Sequence, residues 1–182
     1  SPLLSNESCQ IILAKLRAEG YKARHLDGSL ASPSPEKRFR AVLVLGWDEK
    51  KDWDIFEKSQ AYRRLGSIIF ERAEKLKAER VCLAVDEIDL TSREHASALL
   101  EGLDLASYRF DQYKSENDKE DQFKGIAELA IAGRARWPQA VEKETEAVCE
   151  ATRLARDLVN MPAADCTPAF MVSRCREIAH RG

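Results

Sequence analysis

Phe39-Arg40-Ala41-Val42-Leu43-Val44-Leu45-Gly46 holds a continuous apolar run after Arg40, closed by a glycine, the pattern of a strand covered on both faces. The charged stretch from Trp47 to Asp54 reads as a loop, after which Tyr62, Leu65, Ile69, Ala73 and Leu76 keep spacings of three or four. That spacing is an amphipathic helix. Val81-Cys82-Leu83-Ala84-Val85 follows a short turn later as a second buried strand. The order strand, helix, strand predicts a right-handed parallel crossover. The chain is therefore read as α/β, with a mixed, mostly parallel sheet flanked by helices.

Towards the N-terminus, Asn6 or Ser5 can cap a first helix that carries Ile11, Ile12, Leu13 and Leu16 near one face and stops at Gly20. Tyr21 to Leu26 reads as a short strand, and Asp27 to Pro35 as turn chemistry rich in Ser, Pro and Gly. Towards the C-terminus, Thr91 or Ser92 caps a helix reaching about Tyr108, with Ala96, Leu99, Leu100, Leu103 and Ala106 as its inner stripe. Lys114 to Asp121 is a polar link, and Phe123 to Ile131 reads as a third strand ended by Gly133. From Arg134 to Val159 apolar residues again keep helical spacing, with Pro138 tolerable only near the first turn. A helix of that length spans ~39 Å at 1.5 Å per residue, longer than a small domain needs, so it is expected to act as a strut between domains.

Balance of charge narrows the partners. Lys plus Arg (29) nearly equals Asp plus Glu (31), so a net charge of −2 gives no long-range field to hold a polyanion, and nucleic acid is not an expected partner. No apolar run approaches the ~20 residues that cross a bilayer, so a membrane is not expected either. Cys9, Cys82, Cys149, Cys166 and Cys175 are odd in number and form no C-x-x-C pair, which argues for a reducing, cytoplasmic setting.

The run Ala155-Arg156-Asp157-Leu158-Val159-Asn160-Met161-Pro162 reads as a helix end and a rigid turn. Asn160 is expected to close the helix in a left-handed conformation, and Pro162 forbids its continuation. Thr167 before Pro168 is an N-cap followed by proline at the first helical position, so a new helix starts there.

That run resembles the A-R-D-L-V-N-x-P junction of the leucyl (cytosol) aminopeptidase family, where a helix joins an N-terminal domain to a catalytic domain. Ala98 to Lys114, containing Glu101-Gly102, Ser107-Tyr108, Phe110-Asp111 and Tyr113-Lys114, is similar to the family's E-G-x-x-L-x-S-Y-x-F-D-x-Y-K segment. Val42 to Gly46 resembles its central strand, and Tyr62-Arg63-Arg64-Leu65-Gly66 the start of the following helix. The resemblance covers about residue 40 onward, whereas residues 1–38 match poorly.

The resemblance implies an α/β N-terminal domain with a macro-domain-like topology over residues 1–132, a long linker helix over 133–160 and the beginning of a catalytic domain over 161–182. It further implies a homohexamer, a partner catalytic domain on the same polypeptide, and two divalent metals, zinc or manganese, in a full-length parent that releases N-terminal amino acids from peptides. The family's metal and catalytic motifs, G-K-G-x-x-x-D-x-G-G and N-T-D-A-E-G-R, do not occur between Ser1 and Gly182. No catalytic, cofactor-binding or metal residue is therefore assigned to this chain, and it is expected to be inactive alone. The rival from another class is a stand-alone binding or assembly module with a macro-like fold, contacting nucleotide or DNA.

Individual residue types are weighed on the same terms. Asp165, Cys166, Cys175 and His180 are legal metal ligands, but the spacings of nine and five residues put no pair on one helix face. Glu94-His95 lacks the second histidine of a zincin helix and is expected at a surface or cap position. His25 is isolated, and Ser29, Ser32 and Ser34 lack a nucleophile elbow. Gly20, Gly28, Gly46, Gly66, Gly102, Gly125 and Gly133 are too scattered for a phosphate loop. Arg63-Arg64 and Arg134 to Arg136 are read as solvated helix faces, and Tyr108, Phe110, Tyr113 and Trp137 as core aromatics.

Overall fold

The computed structural model describes residues 5–22, 24–26, 28–31, 39–48, 52–84, 88–115, 123–132 and 140–181. Its elements in chain order are α1 (Asn6–Ala18), β1 (Gly28–Ala31), β2 (Val42–Leu45), α2 (Ile55–Leu76), β3 (Arg80–Ala84), α3 (Arg93–Ser107), β4 (Glu128–Ala132), α4 (Val141–Asn160) and α5 (Pro168–Arg181). The fold is mixed α/β, with helices and a small parallel sheet.

Helix starts follow their local chemistry. Ser5 caps α1 by accepting the Ser8 N–H, and Ser92 caps α3 by accepting the His95 N–H. Asp54 opens α2 with a full capping box: its carboxylate accepts the Glu57 N–H at 2.7 Å, while Glu57 Oε2 accepts the Asp54 N–H at 3.0 Å. Thr167 Oγ1 accepts the Phe170 N–H, so the Thr167-Pro168 start of α5 forms as read from the sequence.

The strand pairing departs from the expected crossover. Among the described residues β2 pairs antiparallel with β1, and β3 pairs parallel with β4, so the helix between the parallel strands is α3 rather than α2. The ladder partner of Val42 to Leu45 lies in the stretch read as turn chemistry, Gly28–Ala31, and not in Tyr21 to Leu26. Leu26 takes a left-handed backbone (φ 56°) and is buried, its N–H donating to the Gly46 carbonyl at 2.7 Å, so apolar character here marks a packed turn. β2 is half-buried along its length: Val42 and Val44 pack with Ile12 and Leu16 of α1, and Leu45 packs on the main core, because alternate residues leave a strand on opposite faces. On α1 only Ile12 and Leu16 of the expected stripe are buried, and Ile11 and Leu13 face outward. β3 alternates exposed and half-buried residues where a buried strand was expected. Val85 and Gly133 lie outside the described residues.

The main core is built where α2 meets α3. Tyr62, Leu65, Ile69 and Phe70 interlock with Ala98, Leu99 and Leu103, and Val81, Leu83, Leu129 and Ile131 of the parallel sheet pack against them. Gly66 and Gly102 sit at the crossing, where a Cβ on Gly66 would run into the Leu99 carbonyl and lie 2.8 Å from Leu103 N. A Cβ on Gly102 would meet the Arg63 carbonyl. The two backbones are thus in direct contact, and the Arg63–Glu101 ion pair (2.5 Å) closes one side of the crossing. Pairs 63–101, 66–102 and 74–109 advance together along the chain, so α2 and α3 run parallel.

The expected helix from Arg134 begins only at Val141. Ala140 precedes it in a left-handed conformation (φ 68°) that cannot continue an α-helix, and Pro138 and Trp137 lie outside the described residues. Its 20 residues span ~30 Å at 1.5 Å per residue. At the far end Asn160 is a helical residue and not a left-handed cap, the chain leaving the helix through an extended Met161 (ψ 133°).

Candidate functional site

The two stretches that carry the strongest resemblance meet each other in space. Along α4 the polar residues Arg153, Arg156, Asp157 and Asn160 recur at i, i+3, i+4 and i+7, which places them on one helix face. That face lies on the C-terminal half of α3 and its exit. Arg153 pairs with Asp104, and Arg156 donates to the Leu105 carbonyl at 3.1 Å while its guanidinium lies 5.3 Å from the centre of the Tyr108 ring. The Tyr108 hydroxyl donates to Asp157 Oδ1 at 2.8 Å and accepts from Asn160 Nδ2 at 3.1 Å. Nearer the helix starts, Ser97 and Thr145 hydroxyls are 2.8 Å apart and Arg93 pairs with Glu144. Partners again advance in step, so α3 and α4 also run parallel.

A second phenol extends the clasp past the helix break. Tyr113 donates to Asp165 Oδ2 at 2.5 Å, tying the segment after α3 to the corner between α4 and α5. The corner itself is a tight turn in which the Asp165 and Cys166 N–H groups both donate to the Pro162 carbonyl at 2.9 Å. The role expected for Asn160, a left-handed stop, is replaced by its amide reaching Tyr108; Pro162 ends the helix unaided.

Tyr108 and Tyr113 were expected in the core and are not. Tyr108 and Phe110 are half-buried, and Tyr113 is 52 % exposed. Each phenol keeps its edge on protein and its hydroxyl on a carboxylate, which suits an amphipathic ring better than full burial does. The signal that locates the clasp is the polar stripe at 153, 156, 157 and 160, which apolar periodicity passes over.

Electrostatics at the clasp favour neutral phenols. Hydrogen bonding to the Asp165 carboxylate, followed by desolvation, pushes Tyr113 up to about 12. Tyr108 is also raised, with desolvation as the main cause and Asp157 adding to it. A phenol whose pKa is raised on folding contributes stability below its ordinary value of 10.0, and that contribution is lost as pH climbs towards 12. Ultraviolet titration of tyrosinate should therefore show a transition at about 12 that is missing from Tyr113→Phe; loss of a phenol that titrates at the ordinary 10.0 instead would mean that the Tyr113–Asp165 bond does not form. Cys149, fully buried between α3 and α4, is pushed up to about 11 chiefly by burial, which keeps its thiol protonated and unreactive.

Residues weighed as ligands or nucleophiles are engaged elsewhere or apart. Asp165 receives Tyr113, Cys166 Sγ lies 3.8 Å from Met171 Sδ, and Cys175 and His180 are exposed on α5. Among the described residues no three His, Cys, Asp or Glu side chains converge. All five cysteines are unpaired. His95 is buried rather than at the surface: its ring stacks on Tyr62 at 4.3 Å, and Nδ1 is 3.1 Å from the Asp89 carbonyl. Glu94 stays exposed and accepts from Ser92 Oγ. His25 sits between Trp47 and Trp53, with Nδ1 accepting the Asp48 N–H. Arg63 is half-buried and held by Glu101, while Arg64 is exposed on α2. Ser29 falls in β1, while Ser32, Ser34 and Arg134 to Arg136 lie outside the described residues. No helix among the described residues is long and apolar enough to cross a membrane.

Comparison with known proteins places these features in a family. The sequence profile of the cytosol aminopeptidase family, N-terminal domain, matches residues 5–117, so the similarity reaches well before residue 40, where the expected match began. The "Probable cytosol aminopeptidase" of Roseiflexus castenholzii is 33 % identical over 147 residues, covering 77 % of this chain and 28 % of the relative. The "Cytosol aminopeptidase" of Pseudomonas aeruginosa is 27 % identical over 148 residues, covering 80 % and 29 %. In structure, a tomato leucine aminopeptidase mutant shares the fold with a TM-score of 0.74 over 99 % of this chain and 35 % of that one, at 23 % identity. The bottromycin maturation enzyme BotP matches with a TM-score of 0.67 at 28 % identity, over 92 % of this chain and 34 % of that one. The chain thus spans about a third of the length of the relatives it matches.

Proposed function

Because the chain belongs to the cytosol aminopeptidase family, as its N-terminal domain, we propose that it is the non-catalytic, assembling part of an exopeptidase that releases N-terminal amino acids from peptides. The profile match over residues 5–117 carries this reading, because it covers the α/β body up to the segment after α3 that holds α4. The remaining two thirds of a relative's length are then the place for hydrolysis. Two divalent metals, zinc or manganese, belong to that remainder, where they would polarise the scissile carbonyl and activate water. A structure of BotP in complex with Mn supports the manganese choice.

The division of labour follows the chain. On this reading residues 1–132 are the α/β domain with a macro-like topology, 133–160 the linker that contains α4 (Val141–Asn160), and 161–182 the opening of the catalytic domain. A cytoplasmic setting fits the family name and the five unpaired cysteines, and the homohexamer is what the family resemblance implies for the parent. The purified 182-residue chain, assayed on leucine-p-nitroanilide with manganese, is expected to give no turnover above a protein-free blank. Metal-dependent release of nitroaniline that co-purifies with the chain would overturn the reading.

A further inference from the structure

Helix α5 is held by its corner. Its ion pair Arg174–Glu177 and the Arg174–Phe170 contact lie within the helix, and most of its side chains are exposed, Met171, Val172 and Ile178 included. Among the described residues so little packs against this 14-residue helix that its direction is not fixed along its own length. Direction has to come from residues 161–167. There the chain is stiffened by Pro162 and Pro168, by the paired N–H groups on the Pro162 carbonyl, and by burial of Met161. Stiffness alone would leave the corner free to swing on the end of α4. What joins it to the α/β body is a pair of phenols on opposite sides of the break: Tyr108 to Asp157 and Asn160 before it, Tyr113 to Asp165 after it.

We propose that Tyr108 and Tyr113 are positioning residues that lock the α4–α5 corner onto the exit of α3, so that the α/β body dictates the direction in which the chain continues. Two anchors separated by the turn are the minimum that stops rotation about either one. Both emerge from the short segment after α3, so α5 takes its direction from the same helix that packs against α2 and α4. The junction is on this account a rigid bracket in place of a flexible tether. Both rings bond through a terminal hydroxyl, so removing one oxygen tests the lock with the ring and its packing intact.

Nitroxides attached through a keto-bearing amino acid at the exposed positions Glu71 in α2 and Ser173 in α5 avoid the native cysteines and report the distance across the corner. Pulsed electron paramagnetic resonance of the 182-residue chain should give one narrow distance distribution. In Tyr113→Phe, and more so in Tyr108→Phe with Tyr113→Phe, that distribution should broaden and lose its single maximum. Tyr113 is half-exposed, so its variant keeps the core. A distribution already broad in the unaltered chain, or one that stays narrow without both hydroxyls, would overturn the proposal.

Discussion

Gly102→Ala and Gly66→Ala are each expected to destabilise the fold by about 3 kcal/mol or more, at the upper end of overpacking effects. The sign is the informative part. Alanine in place of glycine within an ordinary helix gains ~1 kcal/mol, because glycine loses more backbone freedom on folding. Here the added methyl from Gly66 meets the Leu99 carbonyl and Leu103 N, and that from Gly102 meets the Arg63 carbonyl. These are backbone atoms of regular helices and cannot rotate aside as a side chain can. The helices would have to separate, opening the contact among Tyr62, Leu65, Leu99 and Leu103 that forms the core. Urea unfolding at matched slope measures it; a raised midpoint for either variant would mean that α2 and α3 do not cross backbone to backbone.

Tyr62→Ala should cost about 3–5 kcal/mol, the range for truncating a fully buried aromatic residue. Tyr62 is 0 % exposed, stacks on His95, meets the edge of Trp47 at 5.0 Å and accepts the Asp89 N–H at 3.0 Å. It therefore holds the Asp89 segment, which leads into the cap of α3, against α2. Asp89 in turn accepts from both the N–H and the hydroxyl of Thr91, and that hydrogen bonding holds its carboxyl below the usual range. Removing the ring opens a void in the core and takes away the acceptor of the Asp89 N–H. Tyr62→Phe separates the two effects, since it keeps the ring and removes the hydroxyl that accepts the Asp89 N–H, at about 0.5–1.5 kcal/mol. Thermal unfolding of the pair checks this, and equal losses would mean that the hydroxyl, and not the packing, carries the contribution of Tyr62.

Legibility in the sequence tracked the range of the interaction. Helix starts at Ser5, Ser92 and Thr167 were readable because a cap is settled within three residues by one side-chain oxygen and one N–H. The inner faces of α2 and α3 were readable because helical spacing reports burial directly. The partner of β2 was not, since a ladder is a choice between distant segments, and Gly28–Ala31 has no local mark that outranks Tyr21 to Leu26. In the sequence His95 reads as a surface or cap residue; it does stand in the capped first turn of α3, but it is buried, and the flat face of Tyr62 and the Asp89 carbonyl make that burial tolerable.

The clasp was half legible. Both stretches that form it stood out by resemblance, yet their residues were assigned to separate tasks, aromatics to the core and Asn160 to a helix stop. A phenol and a carboxylate 49 residues apart declare no relation in the linear chain.

The sequence by itself determined where α1, α3 and α5 begin, which faces α2 and α3 bury, and the family to which the A-R-D-L-V-N-x-P run and the E-G…S-Y-x-F-D-x-Y-K segment belong. These rest on contacts within a few residues or on the order of residue types. Tertiary structure decided that Gly66 and Gly102 face each other across a helix crossing, and that Tyr108 and Tyr113 fasten the junction. The reason is physical: closeness of two backbones, and the partner of a hydroxyl, are properties of pairs of distant residues, fixed only when the parallel packing of α2, α3 and α4 brings them together.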